Sequence, residues 1–145
     1  MRRASINLFI FALILVAVPA MAIDQWLPMD QIKIAWDPVT TLGDGTAITP
    51  DLGTVEYEVV YAPESKENPK PIWNGDQTTA TVSIPENGNW LIGIRTHLKV
   101  NGTVVSNSLY GWSDDPEIVS PEGGTFGILR YAPPKTITGL MKVTP

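Results

Sequence analysis

The amino-acid sequence predicts an all-β fold, built as a two-sheet antiparallel sandwich. Several segments alternate apolar and polar side chains with a period of two, which is typical of half-buried strands in antiparallel sheets. Clusters of Pro, Gly, Asn and Asp separate these segments and indicate turns. No segment after residue 22 has the apolar stripe of a helix. Several short strands in this arrangement favour a sandwich.

Four segments carry the alternating pattern, at residues 31–36, 55–61, 79–84 and 90–100. The side chains expected to face the core are Ile32, Ile34 and Trp36, then Val55, Tyr57, Val59 and Tyr61, then Ala80, Val82 and Ile84, and finally Trp90, Ile92, Ile94, Thr96, Leu98 and Val100. The side chains expected on the opposite faces are Lys33 and Ala35, Glu56 and Glu58, and Leu91, Arg95, His97 and Lys99.

A β-hairpin is predicted at Asn101 and Gly102, which separate residues 98–100 from residues 103–105. Both turn residues tolerate positive φ, and this is the requirement of the favoured two-residue hairpin turn. The strand that ends at residue 100 is therefore expected to pair with the segment that follows it.

The N-terminal segment is expected to be a signal peptide cleaved after Ala22. Arg2 and Arg3 form a basic start, residues 8–18 form an apolar run, and small residues Ala20 and Ala22 precede the cleavage point. The run is shorter than the ~20 apolar residues of a spanning helix. A secreted or periplasmic protein is therefore favoured over the alternative, an N-terminal signal anchor.

Composition argues against several kinds of site and partner. The 145 residues include no Cys and one His, which excludes disulfides, Cys-ligated zinc and multi-His metal sites. The net charge of −5 becomes −7 once residues 1–22 are removed, which argues against nucleic acid and anionic lipid as partners. No cofactor and no stable membrane insertion after cleavage are expected.

Five short stretches together resemble a bacterial exported fibronectin type III domain. They are the segment with Trp36 at residues 32–38, the loop at 44–46, the segment at 57–61, the corner at 84–90, and residues 112–113. The resemblance covers about residues 30–116 and implies an immunoglobulin-like antiparallel sandwich. Together with the signal peptide at 1–22, it predicts a sandwich at 23–116, followed by a Pro- and Gly-rich segment at 117–145.

The corner before the sixth strand departs from this family. The family has a tyrosine there, whereas this chain has Trp90. The indole N–H of Trp90 is therefore expected to replace the tyrosine hydroxyl as the donor to a backbone carbonyl. The first strand is only weakly marked, at residues 23–28.

The resemblance also implies that the third and sixth strands pair. This pairing sets Glu56 and Glu58 opposite Arg95, His97 and Lys99, and indicates a charge ladder rather than a catalytic acid and base. His97, flanked by two cations on its face, is expected to be exposed and not a metal ligand. Because the chain has no recognisable catalytic motif, no catalytic residue is assigned and an enzyme is not expected.

Aromatic side chains are the stronger functional lead. Trp73, Tyr110 and Trp112 lie in weakly patterned or edge segments, where an aromatic ring can stack on a sugar or anchor a protein partner. The alternatives are that Trp112 stacks on a cation such as Arg95, and that Trp73 covers the edge of the sandwich. These four residues are the candidate contacts for a ligand or partner.

Two acidic turns, Asp44-Gly45 and Asp114-Asp115, lack the spaced oxygen ligands of a calcium loop. Turn formation by Asp and Gly is the preferred explanation of both. No metal site is therefore predicted.

The C-terminal segment resumes an apolar pattern at residues 126–131 and again at 133–143. Two interpretations remain open, namely an extended tail and a strand added to a sheet edge, either in its own molecule or in a neighbour. We favour edge pairing, because several apolar side chains would be costly to leave in water, namely Ile128, Leu129, Ile137, Leu140 and Val143. Self-association through residues 126–145 is one form that such pairing could take.

The sequence thus predicts an exported, non-catalytic binding or structural module, acting in protein–protein interaction or in surface or envelope assembly. The alternative is a carbohydrate-binding module that uses exposed aromatic rings. The sequence names neither the protein nor the glycan that would be bound.

Overall fold

The computed structural model describes residues 23–134. The predicted signal peptide at residues 1–22 and the last part of the C-terminal segment, residues 135–145, lie outside the described residues. The described chain is all-β and has no helix, as the sequence predicted. Accordingly, no described segment is a helix with the length and apolarity needed to span a bilayer.

Nine strands form two sheets in the described part of the chain. The strands are β1 (Gln25–Leu27), β2 (Gln31–Ala35), β3 (Thr54–Ala62), β4 (Lys70–Gly75), β5 (Thr79–Ser83), β6 (Gly88–Val100), β7 (Thr103–Asn107), β8 (Gly111–Trp112) and β9 (Phe126–Arg130). The larger sheet has the order β1-β9-β6-β3-β4, with β7 and β8 also paired to β6. The smaller sheet consists of β2 and β5. The pairing of β1 with β9 is parallel, and the others are antiparallel.

The core lies between the two sheets, which is consistent with a β-sandwich. Its buried members are Ile34, Val59, Tyr61, Ala80, Val82, Ile84, Ile92 and Ile128. Ile34, Ala80 and Val82 come from the smaller sheet, whereas the strand residues Val59, Tyr61, Ile92 and Ile128 come from the larger one. The inward faces predicted for β2, β3 and β5 are therefore confirmed, since alternation places every second side chain on the core side.

The outer face of the larger sheet is more buried than the sequence predicted. Leu91 and His97 were expected to face solvent, yet they are 0% and 9% exposed. This expectation was wrong because side chains from later segments lie against that face, namely the Trp112 ring over Gly93 and Asn107 against His97. Alternation along a strand identifies its two faces, but it does not reveal that a later segment covers one of them.

The predicted hairpin is confirmed. Asn101 and Gly102 have φ angles of 52° and 78°, and they connect β6 to β7 with Val100 paired to Thr103. Positive φ at both residues is what lets so short a turn match the twist of its strands.

The corner between β5 and β6 is also as predicted. The Trp90 indole N–H donates a hydrogen bond to the Glu86 carbonyl oxygen at 3.0 Å. The Trp90 ring packs edge-on against the Tyr61 ring, with centroids 5.0 Å apart. The corner is thereby tied to the middle of the larger sheet.

Both chain ends of the described region join the larger sheet. β9 lies between β1 and β6, so the sheet extends into the segment that the sequence analysis set apart as residues 117–145. Asp24 and Thr125 join the starts of β1 and β9, because the Thr125 backbone N–H donates to the Asp24 Oδ2 at 2.7 Å. Ile128, in the middle of β9, is fully buried.

Candidate functional site

The pairing of β3 with β6 aligns charged side chains across the outer face of the larger sheet. Glu58 is opposite Arg95, and Glu56 is opposite His97. The Arg95 Nε lies 2.6 Å from the Glu58 Oε2, and the Lys99 Nζ lies 2.5 Å from the Glu56 Oε2. The predicted charge ladder is therefore present, and both glutamates have cationic partners.

Arg95 is the centre of a group that we call the Arg95 cluster, which consists of Glu58, Arg95, His97, Tyr110 and Trp112. The Tyr110 hydroxyl donates to the Glu58 Oε2 at 2.9 Å, and the Arg95 Cζ lies 4.7 Å from the Tyr110 ring centroid. Partial burial raises the pKa of Tyr110, and the hydrogen bond to Glu58 raises it further. The guanidinium of Arg95 is thus both neutralised by a carboxylate and stacked on an aromatic ring.

His97 belongs to this cluster and is buried, in contrast to the exposed histidine that the sequence predicted. Its Nδ1 lies 2.6 Å from the Asn107 Oδ1, and its Nε2 lies 3.9 Å from the Glu58 Oε2. The end of β7 brings Asn107 beside His97, which is its partner in the sheet register. Burial with such partners gives this histidine a packing role on the sheet.

Trp112 lies over β6 at Gly93. A Cβ at Gly93 would lie 2.8 Å from the Trp112 ring, so this position requires a residue without a side chain. The cation beside the ring is Lys66, with its Nζ 6.0 Å from the centroid, rather than Arg95. The register explains the difference, because Trp112 pairs with Gly93, two positions before Arg95.

Trp73 is separate from the Arg95 cluster. It lies on β4 opposite Val59 and packs edge-on against Trp36, with the ring centroids 5.7 Å apart. Of the four candidate contact residues, the fold brings three together, because the Tyr110 ring contacts Arg95 and its centroid lies 5.4 Å from that of Trp112. Trp73 remains at the edge of the core.

The two acidic turns serve local structure. The Asp44 Oδ1 accepts the Thr46 backbone N–H at 2.9 Å, and hydrogen bonds from Thr46 lower the pKa of Asp44. The Asp115 Oδ1 accepts the Glu117 backbone N–H, and the Asp114 Oδ2 pairs with the Lys66 Nζ at 3.0 Å. Within residues 23–134, no group of three or more His, Asp or Glu side chains could hold a metal ion.

An apolar surface that the sequence did not predict lies on β7 of the β6–β7 hairpin and on the residues that follow it. Val104, Val105 and Leu109 are 44%, 56% and 92% exposed, and we call them the hairpin surface. β7, which carries two of them, has no buried residue and pairs only with β6 among the described strands. A sequence signal did exist, because Leu109 follows three polar residues, 106–108, and lies outside the alternating segments.

No family model, no curated protein and no solved structure matches this chain.

The geometry gives the two surfaces different properties. In the Arg95 cluster, each charged side chain has an internal partner, and the aromatic rings contact cations of the same chain. Such a cluster fixes residues 107–114 on the sheet. The hairpin surface, by contrast, exposes apolar side chains on and beside β7, whose other edge pairs with none of the described strands. This combination suits contact with another protein.

Proposed function

We propose that this protein is an exported, non-catalytic interaction module with a fibronectin type III-like sandwich, and that it contacts a protein partner through the hairpin surface. The observation that carries the proposal is the exposure of three apolar side chains, Val104, Val105 and Leu109, within six consecutive residues. Exposed apolar side chains at the end of a rigid sheet are typical of protein-binding sites.

The likeness to the type III fold is supported by two features of the described residues. The third and sixth strands pair along their length, and the indole of Trp90 replaces the corner tyrosine as a donor to backbone. The export step is supported by the sequence of residues 1–22 alone.

Carbohydrate binding is less favoured as the function. The aromatic rings that would stack on a sugar already have neighbours, since Arg95 lies over Tyr110, Lys66 lies near Trp112, and Trp73 packs on the core. A sugar ring would have to displace these contacts before it could stack.

Site-specific photocrosslinking in the native cells tests the protein-binding proposal. A photoreactive phenylalanine analogue at Val105 or Leu109 is expected to yield one crosslinked product of defined mass. The same analogue at Glu64, an exposed residue just after the end of β3 that lies away from the hairpin, is the matched control and is expected to yield none. Equal crosslinking at all three positions, or none at any, would contradict the proposal.

A fluorescence titration distinguishes carbohydrate binding from protein binding. Soluble polysaccharides are expected to leave the tryptophan emission unchanged. Saturable quenching that disappears in Trp112→Ala would instead favour carbohydrate binding and overturn the protein-binding proposal.

A further inference from the structure

One edge of β2 pairs with none of the described strands. The other edge pairs with β5, while β1 pairs with β9 in the larger sheet. At one end of β2 the Trp36 N–H donates to the Thr78 carbonyl, and at the other end the Asp30 carbonyl accepts from the Ile84 N–H. Because peptide groups alternate in direction along a strand, the even-numbered residues of β2 bond to β5. The backbone groups that point to the free edge are those of the odd-numbered residues, Gln31, Lys33 and Ala35.

The smaller sheet leaves part of the inner face of the larger sheet uncovered beside this edge. At a spacing of ~4.8 Å, the two strands β2 and β5 cover ~10 Å, whereas the five-strand path from β1 to β4 is ~24 Å wide. β5 lies against β4, at one end of this path, so the free edge of β2 opens toward β9 and β1. Leu27 of β1 and Phe126 of β9 accordingly pack on the core but remain partly exposed.

A groove of about 850 Å³ occupies this uncovered space. Ile32 and Trp36 of β2 line it together with Ile94 of β6, Phe126 of β9 and Ile118. An added strand gains main-chain hydrogen bonds along an unpaired edge, and an apolar groove beside that edge buries its alternate side chains. The free edge of β2 and the groove together therefore have the form of a binding site for an extended polypeptide.

The charge at this edge indicates the chemistry of the polypeptide. Lys33 is the middle residue of β2 and is exposed. The other lysines of residues 23–134, at positions 66, 70 and 99, each lie 3.0 Å or less from a carboxylate oxygen, whereas Lys33 has no ion-pair partner in this part of the chain. The remaining side chains on the outer face of the smaller sheet are uncharged, namely Gln31, Ala35, Thr79, Thr81 and Ser83. A carboxylate on an added strand, opposite Lys33, would supply the missing partner.

The same charge disfavours a second copy of this chain as the occupant. The longest antiparallel pairing of two β2 edges is centred on Lys33 and sets the two Lys33 side chains opposite each other. Like charges directly opposite across a ladder are destabilising, and a lysine on an edge strand is a common protection against such self-pairing. An acidic segment of a different protein has the complementary charge.

We propose that the free edge of β2 binds an extended segment of a partner polypeptide. The segment adds a third strand to the smaller sheet, places alternate apolar side chains in the groove, and sets an aspartate or glutamate opposite Lys33. This site goes beyond the hairpin surface and does not depend on it, so either one can fail without the other.

Titration of the full chain with a synthetic peptide tests the binding. The peptide has about nine residues, enough to pair along all of β2, with valine at every second position, serine between the valines, and glutamate in place of the central serine. We expect saturable binding by isothermal titration calorimetry. A peptide of the same composition without the alternation is the control and is expected not to bind. No saturable binding of the alternating peptide, or equal binding of both peptides, would overturn the proposal.

Amide hydrogen exchange locates the bound peptide residue by residue. At saturating peptide we expect the amides of Lys33 and Ala35, which point to the free edge, to exchange at least ~10-fold more slowly. The Ile34 amide faces β5 and is the internal control, expected to change little. Unchanged exchange at Lys33 and Ala35 would place the peptide elsewhere and overturn the proposal. Protection of these amides before any peptide is added would show that the chain itself or a second copy occupies the edge, and would also overturn it.

Charge reversal at Lys33 tests the acidic partner. Lys33→Glu replaces an attraction with a repulsion, so we expect it to weaken binding of the glutamate peptide ~10-fold, and a peptide with a central lysine to restore the affinity. The control variant carries Ser65→Glu and Thr103→Glu, which change the net charge equally at two exposed residues that do not line the groove. It is expected to bind the glutamate peptide as the unmodified chain does. Equal affinities of Lys33→Glu and this control would overturn the pairing of a carboxylate with Lys33.

Discussion

Individual residues at the β5–β6 corner connect the turn to the sheet. The Trp90 indole donates to the Glu86 backbone carbonyl, while the Glu86 side chain accepts from the Tyr61 hydroxyl at 2.9 Å and pairs with the Lys70 Nζ. Lys70 also lies 5.8 Å from the Trp90 ring centroid. Four side chains from β3, β4, the corner and β6 therefore restrain one another.

Replacing Trp90 with phenylalanine tests the contribution of the indole N–H. Trp90→Phe keeps an aromatic ring against Tyr61 but removes the donor to Glu86, and we expect the free energy of unfolding to fall by about 1 kcal/mol. Urea unfolding measures the change. Tyr131→Phe, at an exposed residue outside the corner, is the control and should change the free energy by less than about 0.5 kcal/mol. A Trp90→Phe protein as stable as the control would show that the hydrogen bond adds nothing.

At the scale of whole elements, β9 completes the larger sheet. It pairs in parallel with β1 and antiparallel with β6, so it connects the first strand to the rest of the sheet. Ile128 of β9 is fully buried among residues of both sheets. The strand therefore contributes to the core as well as to the hydrogen-bonded ladder.

Truncating the central side chain of β9 tests this role. Ile128→Ala removes buried methyl and methylene groups, and we expect a loss of about 2–5 kcal/mol in the free energy of unfolding. Ile118→Ala is the matched control, because Ile118 is 59% exposed, and it should cost less than about 1 kcal/mol. Denaturant midpoints compare the two variants. Similar losses in both would contradict a core position for β9.

For the whole molecule, stability should depend on pH through the hydroxyl of Tyr61. Burial raises the pKa of Tyr61 from 10.0 to about 12, and the hydrogen bond to Glu86 adds to this effect. Because the raised pKa favours the protonated hydroxyl in the folded state, the associated stability is fully present below pH 10. It is lost as the pH rises to about 12.

Urea midpoints measured from about pH 8 upward test this dependence. We expect a decline above pH 10 that is smaller in Tyr61→Phe, which has no hydroxyl to titrate. An identical decline in both proteins would assign the alkaline loss to other groups.

In acid the opposite sign holds for Glu86, whose pKa is lowered by hydrogen bonds from Lys70 and Tyr61. Its contribution is present above pH 4.5 and is lost as the pH falls through the lowered value.

The sequence predicted those features that depend on neighbouring residues or on simple alternation. These include the all-β class, the inward faces of β2, β3 and β5, the Asn101-Gly102 turn, and the indole bond at the corner. The family resemblance added the pairing of β3 with β6, and hence the charge ladder. Local backbone preferences and the two-residue period of a strand depend only on nearby residues, so the sequence alone is enough to predict them.

Only the tertiary structure determines which segments of the chain lie against each face of the larger sheet. The burial of His97 depends on Asn107, and Trp112 contacts Lys66 rather than Arg95 because of the register of β8 on β6. The parallel pairing of β1 with β9 joins residues about a hundred positions apart. Such contacts are selected by the packing of the two sheets as a whole, and no local pattern encodes them.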